Sequence, residues 1–215
     1  MSGTGAAGLL ERLTALIGPS GEAFPSPLER SPRRDEAVRA LLPLVPEAGW
    51  TVAALRRAAG DDADLLFPGG PTELVEYHSD LADRAMLADE TARAEARLSR
   101  RVRSLLLNRL LRAADEKEAI RRGLGSLALP GRHPAMVRAV MRTADAAWIA
   151  AGDESTGFSR HSRRATLAGV YGATLLFWLR TDETAAVEAF LDRRLAGVAR
   201  LGRLRGRLGA RPARS

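Results

Sequence analysis

Cysteine is absent from the 215-residue chain, and aromatic residues make up only 5% of it. Without cysteine, the protein cannot have a disulfide scaffold, a cysteine-ligated zinc or iron–sulfur centre, or a catalytic thiol. Lysine is nearly absent too, because Lys117 is the one lysine among 33 basic residues. The net charge of +7 therefore comes from arginine.

Long uncharged runs are also missing. The longest, 165–179, has 15 residues, whereas a membrane-spanning helix needs about 20. Residues 1–13 lack the basic start and the uninterrupted apolar stretch of a signal peptide. We therefore expect a cytoplasmic protein whose contact with the inner membrane is peripheral.

The composition that remains is typical of a folded helical protein. Hydrophobic residues make up 46% of the chain and charged residues 27%, as in ordinary globular domains. Ala, Leu, Arg and Glu fill long segments that end at proline or glycine, and no alternating β-branched run occurs. After an N-terminal extension and linker, 1–32, the pattern predicts an all-α fold of eight or nine helices. Their predicted ranges are 33–45, 51–59, a short 61–66, 71–92, 95–114, 116–128, 134–150, 160–180 and 184–200.

The predicted helix 160–180 is apolar on two faces. One face carries large residues at helical spacing, including Leu167, Tyr171 and Trp178. The opposite face is mostly small, with Gly169 and Gly172 at its centre. The second face is compatible with burial in the core or with a seam between two copies in a homodimer, and the sequence leaves both open.

No group of residues has the spacing of a catalytic or metal site. The glycines of 3–8 match the dinucleotide-binding pattern, but no strand precedes them. His78, His133 and His161 are too far apart in sequence for a helix-built metal site. Ser155 does not lie in a nucleophile elbow. We therefore expect no enzymatic activity, no metal and no cofactor.

Residues 50–60 resemble the first helix and turn of the helix-turn-helix in tetracycline-repressor-type (TetR) regulators. Only six residues, 61–66, then precede Phe67-Pro68, which is about one turn too few for the reading helix of that family. This segment contains three aspartates and no base, whereas contact with phosphates requires Lys or Arg. We expect 33–75 to be a degenerate helix-turn-helix that binds no specific nucleic acid. A TetR-type regulator of DNA with a hydrophobic effector remains the alternative function.

Several motifs follow one another along the chain: LFPGG at 66–70, ALPG at 128–131, RTADAAW at 142–148, AGDESTGF at 151–158, RATLAGVY at 164–171 and FLDRR at 190–194. In this order they resemble the Coq-nine family of ubiquinone-biosynthesis proteins, over about residues 33–200. The resemblance implies a TetR-like helical bundle without DNA binding, and a cavity in 76–200 that holds an isoprenoid lipid or quinone precursor. It also implies a non-catalytic role beside the demethoxyubiquinone hydroxylase.

The site residues follow from this resemblance and from the apolar faces. A lipid cavity needs apolar walls with a few polar groups, which Trp and Tyr supply. After Phe158 the family usually has a Trp-Tyr pair on the surface thought to face the hydroxylase, where this chain has Arg160-His161. The predicted lipid-binding residues are Met141, Trp148, Leu167, Tyr171, Leu175 and Trp178, and the predicted partner-binding residues are Asp145, Arg160, His161 and Arg164.

The C-terminal tail, 201–215, is basic and weakly amphipathic. Residues 196–215 contain six arginines and no acid, and three leucines recur at spacings of three and four. Four glycines disfavour a helix in water. We expect a tail that is disordered in water and becomes helical on an anionic membrane surface. The predicted membrane contacts are Leu201, Leu204, Leu208, Arg203 and Arg207.

Overall fold

The computed structural model describes residues 27–209, with side chains throughout except those of 157–159 and 201–209. Helices fill this range and no strand occurs in it, so the all-α prediction is confirmed. Short 3₁₀ turns occur at Leu42–Leu44, Ala63–Leu66 and Ala114–Glu116. The α-helices are α1 (Pro32–Leu41), α2 (Val45–Ala48), α3 (Val52–Ala59), α4 (Gly70–Leu87), α5 (Glu90–Arg93), α6 (Leu98–Arg112), α7 (Lys117–Leu127), α8 (His133–Ala150), α9 (Gly157–Trp178) and α10 (Thr184–Gly209).

Local signals in the sequence place several of these ends. The Thr51 side chain accepts a hydrogen bond from the Ala54 amide at 3.1 Å and caps α3, as expected of threonine at this position. Gly60 ends the same helix with a φ of 98°, a conformation that favours glycine. Gly131, at a φ of 81°, separates α7 from α8.

Three predicted boundaries are wrong. The segment 33–45 breaks after Leu41, because Pro43 and Pro46 cannot donate the hydrogen bonds of a continuous helix. The segment 71–92 breaks at Asp89, whose carboxylate accepts from the Ala92 amide and starts α5. The last helix does not end at 200 but continues to Gly209, because each added residue extends an existing helix without a new nucleus.

The region that resembles a helix-turn-helix has no reading helix. After α3 the chain forms only the 3₁₀ turn Ala63–Leu66 before Phe67. Asp64 is paired with Arg56, with Nη2 and Oδ2 2.7 Å apart, so an acidic side chain neutralises a base that could have contacted a phosphate. The wider likeness to the TetR fold stays a prediction.

The described residues form two hydrophobic clusters that share one long helix. The first cluster packs α1 and α3 against the start of α4, and the second packs the end of α4 with α6, α8, α9 and α10. α4 lies along α8, which in turn packs on α9. This arrangement places one side of α4 between the two clusters, where α7 also approaches it.

Helix α9 is buried on one face only. Leu167, Tyr171 and Trp178 are each at most 3% exposed, whereas Gly169 is exposed and Leu176 is 57% exposed on the other face. Within the part of the chain that the structure describes, α9 is therefore not buried on both sides. The dimer seam on that face stays a prediction. Within the described range, no helix is long and apolar enough to cross a membrane.

Candidate lipid-binding site

An apolar cavity lies where α4, α7, α8 and α9 meet. The space between its walls is about 620 Å³, part of which is open to solvent. About 60 Å³ of this space, the free interior, is wide enough for a water-sized molecule. Its walls are mainly aliphatic, and its polar groups come from few side chains. The lining residues are Trp50, Val75, His78, Ser79, Ala82, Arg109, Ala113, Glu116, Ala119, Ile120, Gly123, Leu124, Leu127, Met136, Ala139, Val140, Tyr171 and Leu175.

One glycine allows α7 to form the closest wall of this cavity. A Cβ atom on Gly123 would lie 3.0 Å from Val75 Cγ1 and 3.2 Å from Trp50 Nε1, which is closer than ordinary packing. Trp50 also donates from Nε1 to the Ala119 carbonyl at 2.8 Å. The indole and Val75 therefore hold α7 against α4, and a larger residue at 123 would push them apart.

A buried ionic network forms part of the cavity wall. Arg109 donates from Nε to Asp83 Oδ1 at 2.7 Å and from Nη2 to the carbonyl and Oγ of Ser79 at 3.1 and 2.9 Å. Its Nη1 donates to the hydroxyl of Tyr171, and Thr143 donates to Asp83 at 2.9 Å. Burial raises the pKa of Tyr171, so its hydroxyl keeps its proton at neutral pH.

A second polar pair separates this cavity from a neighbouring one. His78 Nε2 lies 2.7 Å from Glu116 Oε2, and its ring is 5.1 Å from that of Trp50. The hydrogen bond from His78 lowers the pKa of Glu116. The second cavity has about 690 Å³ of empty space, again partly open to solvent. Both cavities are lined by His78, Ala82, Arg109, Ala113 and Glu116.

Two of the six predicted lipid-binding residues line the apolar cavity. Tyr171 and Leu175 do so. Met141, Leu167 and Trp178 are instead buried in the second hydrophobic cluster, because that part of α8 and α9 packs on α6 and α10. Trp148 is half-buried, and Arg163 approaches its ring to 6.0 Å.

The sequence analysis missed the walls contributed by α4 and α7. His78, Arg109 and Glu116 are far apart in sequence and carry no shared motif. A glycine inside a helix is unfavourable unless a close neighbour requires it; Gly123 fits this rule, but Gly125 in the same helix has no such neighbour, so the sequence did not single out Gly123.

Arg164 does not lie on a partner surface, contrary to the prediction. It is 1% exposed and donates from Nε to Asp145 and from Nη1 to Asp153, the latter at 3.4 Å. Its spacing from Leu167 and Tyr171 places it on the buried face of α9, a pattern that the sequence already contained. A charge-reversing substitution at Arg164 would therefore destabilise the fold, and a loss of association would not identify a partner contact.

The other predicted partner residues are more accessible. The Arg160 side chain is 43% exposed and the Asp145 side chain 24%, with 3.8 Å between Arg160 Nη2 and Asp145 Oδ1. His161 is half-buried. Arg160 and Asp145 thus present charge at the surface near the start of α9.

The predicted membrane contacts lie in the last turns of α10. The backbone there is helical as far as Gly209, which differs from the tail that we expected to be disordered in water. The side chains of Leu201, Leu204, Leu208, Arg203 and Arg207 lie outside the described side chains. Their role stays a prediction.

Comparison with known proteins gives a consistent set of relatives. The family model named COQ9 matches residues 133–202, which comprise α8, α9 and most of α10. The chain is 27% identical to "Ubiquinone biosynthesis protein COQ9, mitochondrial" of Rattus norvegicus, over 76% of this chain and 57% of the relative. It is also 27% identical to the protein of the same name from Xenopus tropicalis, over 89% of this chain and 64% of the relative.

The chain thus spans less than two thirds of the length of these relatives. The family match falls on the helices that carry the motifs RTADAAW, AGDESTGF and RATLAGVY, and the relatives extend the similarity over most of the chain. The chain is therefore similar to the COQ9 family over 133–202 and to COQ9 proteins over most of its length.

Proposed function

We propose that this chain acts in ubiquinone biosynthesis without being an enzyme itself. In this proposal it holds an isoprenoid quinone precursor and presents it to the demethoxyubiquinone hydroxylase. The observation that carries the proposal is an apolar cavity with hydrogen-bonding groups confined to part of its wall. The names of the relatives supply the pathway.

The energetics favour such a site for a tail of isoprene units. Each buried methylene contributes about 0.8 kcal/mol, so one five-carbon isoprene unit contributes roughly 4 kcal/mol when it leaves water. The aliphatic side chains of Ile120, Leu124, Leu127 and Val140 offer that environment. The polar group of the ligand would then lie near Arg109 and Tyr171.

The present cavity is narrow for such a ligand. Sites for small molecules commonly enclose about 300–1,000 Å³, whereas the free interior here is about 60 Å³. We propose that α7 moves away from α4 and α8 when the ligand enters. α7 is short, and its displacement breaks the packing of Ala119, Gly123 and Leu127 and the hydrogen bond from Trp50 to the Ala119 carbonyl.

We further propose that Arg160 and Asp145 contact the hydroxylase and that the basic tail contacts an anionic surface of the inner membrane. The exposed charges near the start of α9 support the first part. The six arginines of 196–215 support the second, because each basic residue near an anionic bilayer contributes about 1 kcal/mol.

Deletion of the gene in its own host tests the proposed function. We expect ubiquinone to fall and a demethoxy precursor to accumulate, as measured by mass spectrometry of extracted quinones. Expression of the chain should restore both levels. Unchanged quinone levels in the deletion strain would contradict the assignment to this pathway.

A further inference from the structure

The buried hydroxyl of Tyr171 has a proton that no described residue accepts. Tyr171 is 2% exposed and lines the apolar cavity. Its oxygen accepts a hydrogen bond from Arg109 Nη1, so its own O–H points elsewhere. Among the described residues, none accepts a hydrogen bond from it.

An unused donor in such a place is uncommon. Most buried polar groups in proteins are paired, because an unpaired one costs about 1–3 kcal/mol. The chain's other tyrosine shows the usual arrangement, since the Tyr77 hydroxyl donates to Asp35 Oδ1 at 2.5 Å. Unlike Tyr77, Tyr171 lines the apolar cavity.

The residues behind Tyr171 make its hydroxyl a stronger donor. Arg109 is buried beside it and is itself fixed by Asp83 and Ser79. A cation that donates to the phenol oxygen draws electron density from it and strengthens the outgoing O–H bond dipole. Arg109, Asp83 and Thr143 are already paired within the network. The Ser79 hydroxyl also accepts from Arg109 but is only half-buried, so the O–H of Tyr171 is the fully buried donor left over for a ligand.

We propose that Tyr171 donates a hydrogen bond to an oxygen on the ring of a quinone, with Arg109 as the positioning residue behind it. Such an oxygen is a carbonyl, hydroxyl or methoxyl group, each of which accepts hydrogen bonds. The ring then lies at the Arg109–Tyr171 side of the cavity, and the apolar tail lies along Leu124, Leu127 and Val140. This inference rests on the proposed lipid binding and adds the group that the cavity recognises.

Binding of three probes to the full chain tests the inference. The probes are a benzoquinone with one isoprene unit, the corresponding isoprenoid hydrocarbon without oxygen, and a diacyl phospholipid. Affinities are measured by equilibrium dialysis, with the bound ligand quantified by mass spectrometry. The variant is Tyr171→Phe, and its matched control is Tyr77→Phe, which removes the same atom outside the cavity.

We expect Tyr171→Phe to weaken quinone binding about tenfold, the equivalent of one hydrogen bond, and to leave hydrocarbon binding unchanged. Tyr77→Phe should leave both affinities unchanged. Equal loss for quinone and hydrocarbon, or no loss for either, would overturn the inference. The assignment to a quinone ring would also be overturned if the wild type bound the phospholipid more tightly than the quinone and Tyr171→Phe weakened phospholipid binding tenfold instead.

A second measurement needs no variant. The infrared carbonyl band of the bound quinone should shift to lower frequency than in a hydrocarbon solvent, because a hydrogen bond weakens the C=O bond. An unshifted band would overturn the inference even if Tyr171→Phe failed to fold. If the wild-type chain binds neither quinone nor hydrocarbon, the proposed function itself fails, and that outcome differs from every one above.

Discussion

Arg164 is the residue at which prediction and structure differ most. It is the largest of the fully buried side chains, and it links α9 to Asp145 of α8 and to Asp153 beyond that helix. Without Arg164, the two carboxylates lose this buried cation and keep the more exposed Arg160 and Arg163, so part of their desolvation is no longer compensated. The role of Arg164 is therefore to hold the α8–α9 pair together.

Arg164→Met should lower the free energy of unfolding by about 3 kcal/mol, measured by urea denaturation. Arg163→Met is the matched control at the next position, since its side chain is 48% exposed although it also pairs with Asp153. We expect that control to cost less than about 1 kcal/mol. Similar losses in the two variants would contradict the structural role assigned to Arg164.

Asp35 gives a prediction for acid conditions. The hydrogen bonds from Arg84 lower the pKa of Asp35 from 3.8 to about 2. As the pH falls, the Asp35 carboxyl is therefore protonated in the unfolded chain before it is protonated in the folded one. The stabilisation of the fold by the Asp35–Arg84 pair is complete above about pH 4 and is lost as the pH falls towards 2. Asp35→Asn should show a smaller fall in the free energy of unfolding over that window than the wild type. Glu36→Gln, at the exposed neighbouring position, should follow the wild-type curve, and a wild-type curve for Asp35→Asn would refute the assignment.

At the scale of one helix, α7 offers a matched pair of glycines. Gly123 is packed against Val75 and Trp50, whereas a Cβ on Gly125 would meet nothing within 4 Å. Gly125→Ala should raise the free energy of unfolding by about 0.5–1 kcal/mol, because alanine favours the helix. Gly123→Ala should gain less or lose stability, since α7 must shift from α4.

The same variants separate packing from propensity. A crystal structure of Gly123→Ala should show a longer distance between Trp50 Nε1 and the Ala119 carbonyl than the present 2.8 Å. If the two substitutions raised the free energy of unfolding equally, the stability of the protein would not depend on the close approach of α7 to Val75.

The helices that the sequence predicted well are those with strong local signals. α3 begins after its N-cap Thr51 and ends at Gly60, which has a positive φ. Both signals are properties of single residues. The break at Asp89 was missed although its N-cap is a local signal; the amide of Asn108, from a later helix, also donates to this carboxylate at 3.0 Å. The cavity was predicted only in part, because its walls come from helices that are distant in sequence.

The tail is an element whose function remains a prediction. Removal of 200–215 should abolish co-sedimentation with anionic vesicles and leave the thermal unfolding of the rest unchanged. The expected loss follows from six arginines at up to about 1 kcal/mol each, together with the burial of leucines. Equal binding by the truncated chain, or binding that does not depend on lipid charge, would exclude the tail as the anchor.

For the whole molecule, the two hydrophobic clusters and the cavity between them form one arrangement. α4 belongs to both clusters, and α7 covers the place where they meet. A ligand that displaces α7 would therefore reach the interior, and Ala119 and Leu127 would then leave the first cluster. This is the structural basis of the proposal that the chain carries a lipid.

The central claim is tested most directly by the lipid that the protein carries from its own host. We would purify the wild type, Ala139→Phe and Ala128→Phe, extract bound lipid and quantify it by mass spectrometry. Ala139 lines the cavity, whereas Ala128 is an exposed residue after α7. We expect an isoprenoid quinone or its precursor on the wild type and on Ala128→Phe, and several-fold less on a folded Ala139→Phe. A wild-type protein that carries no such lipid and takes up no quinone analogue would contradict the account.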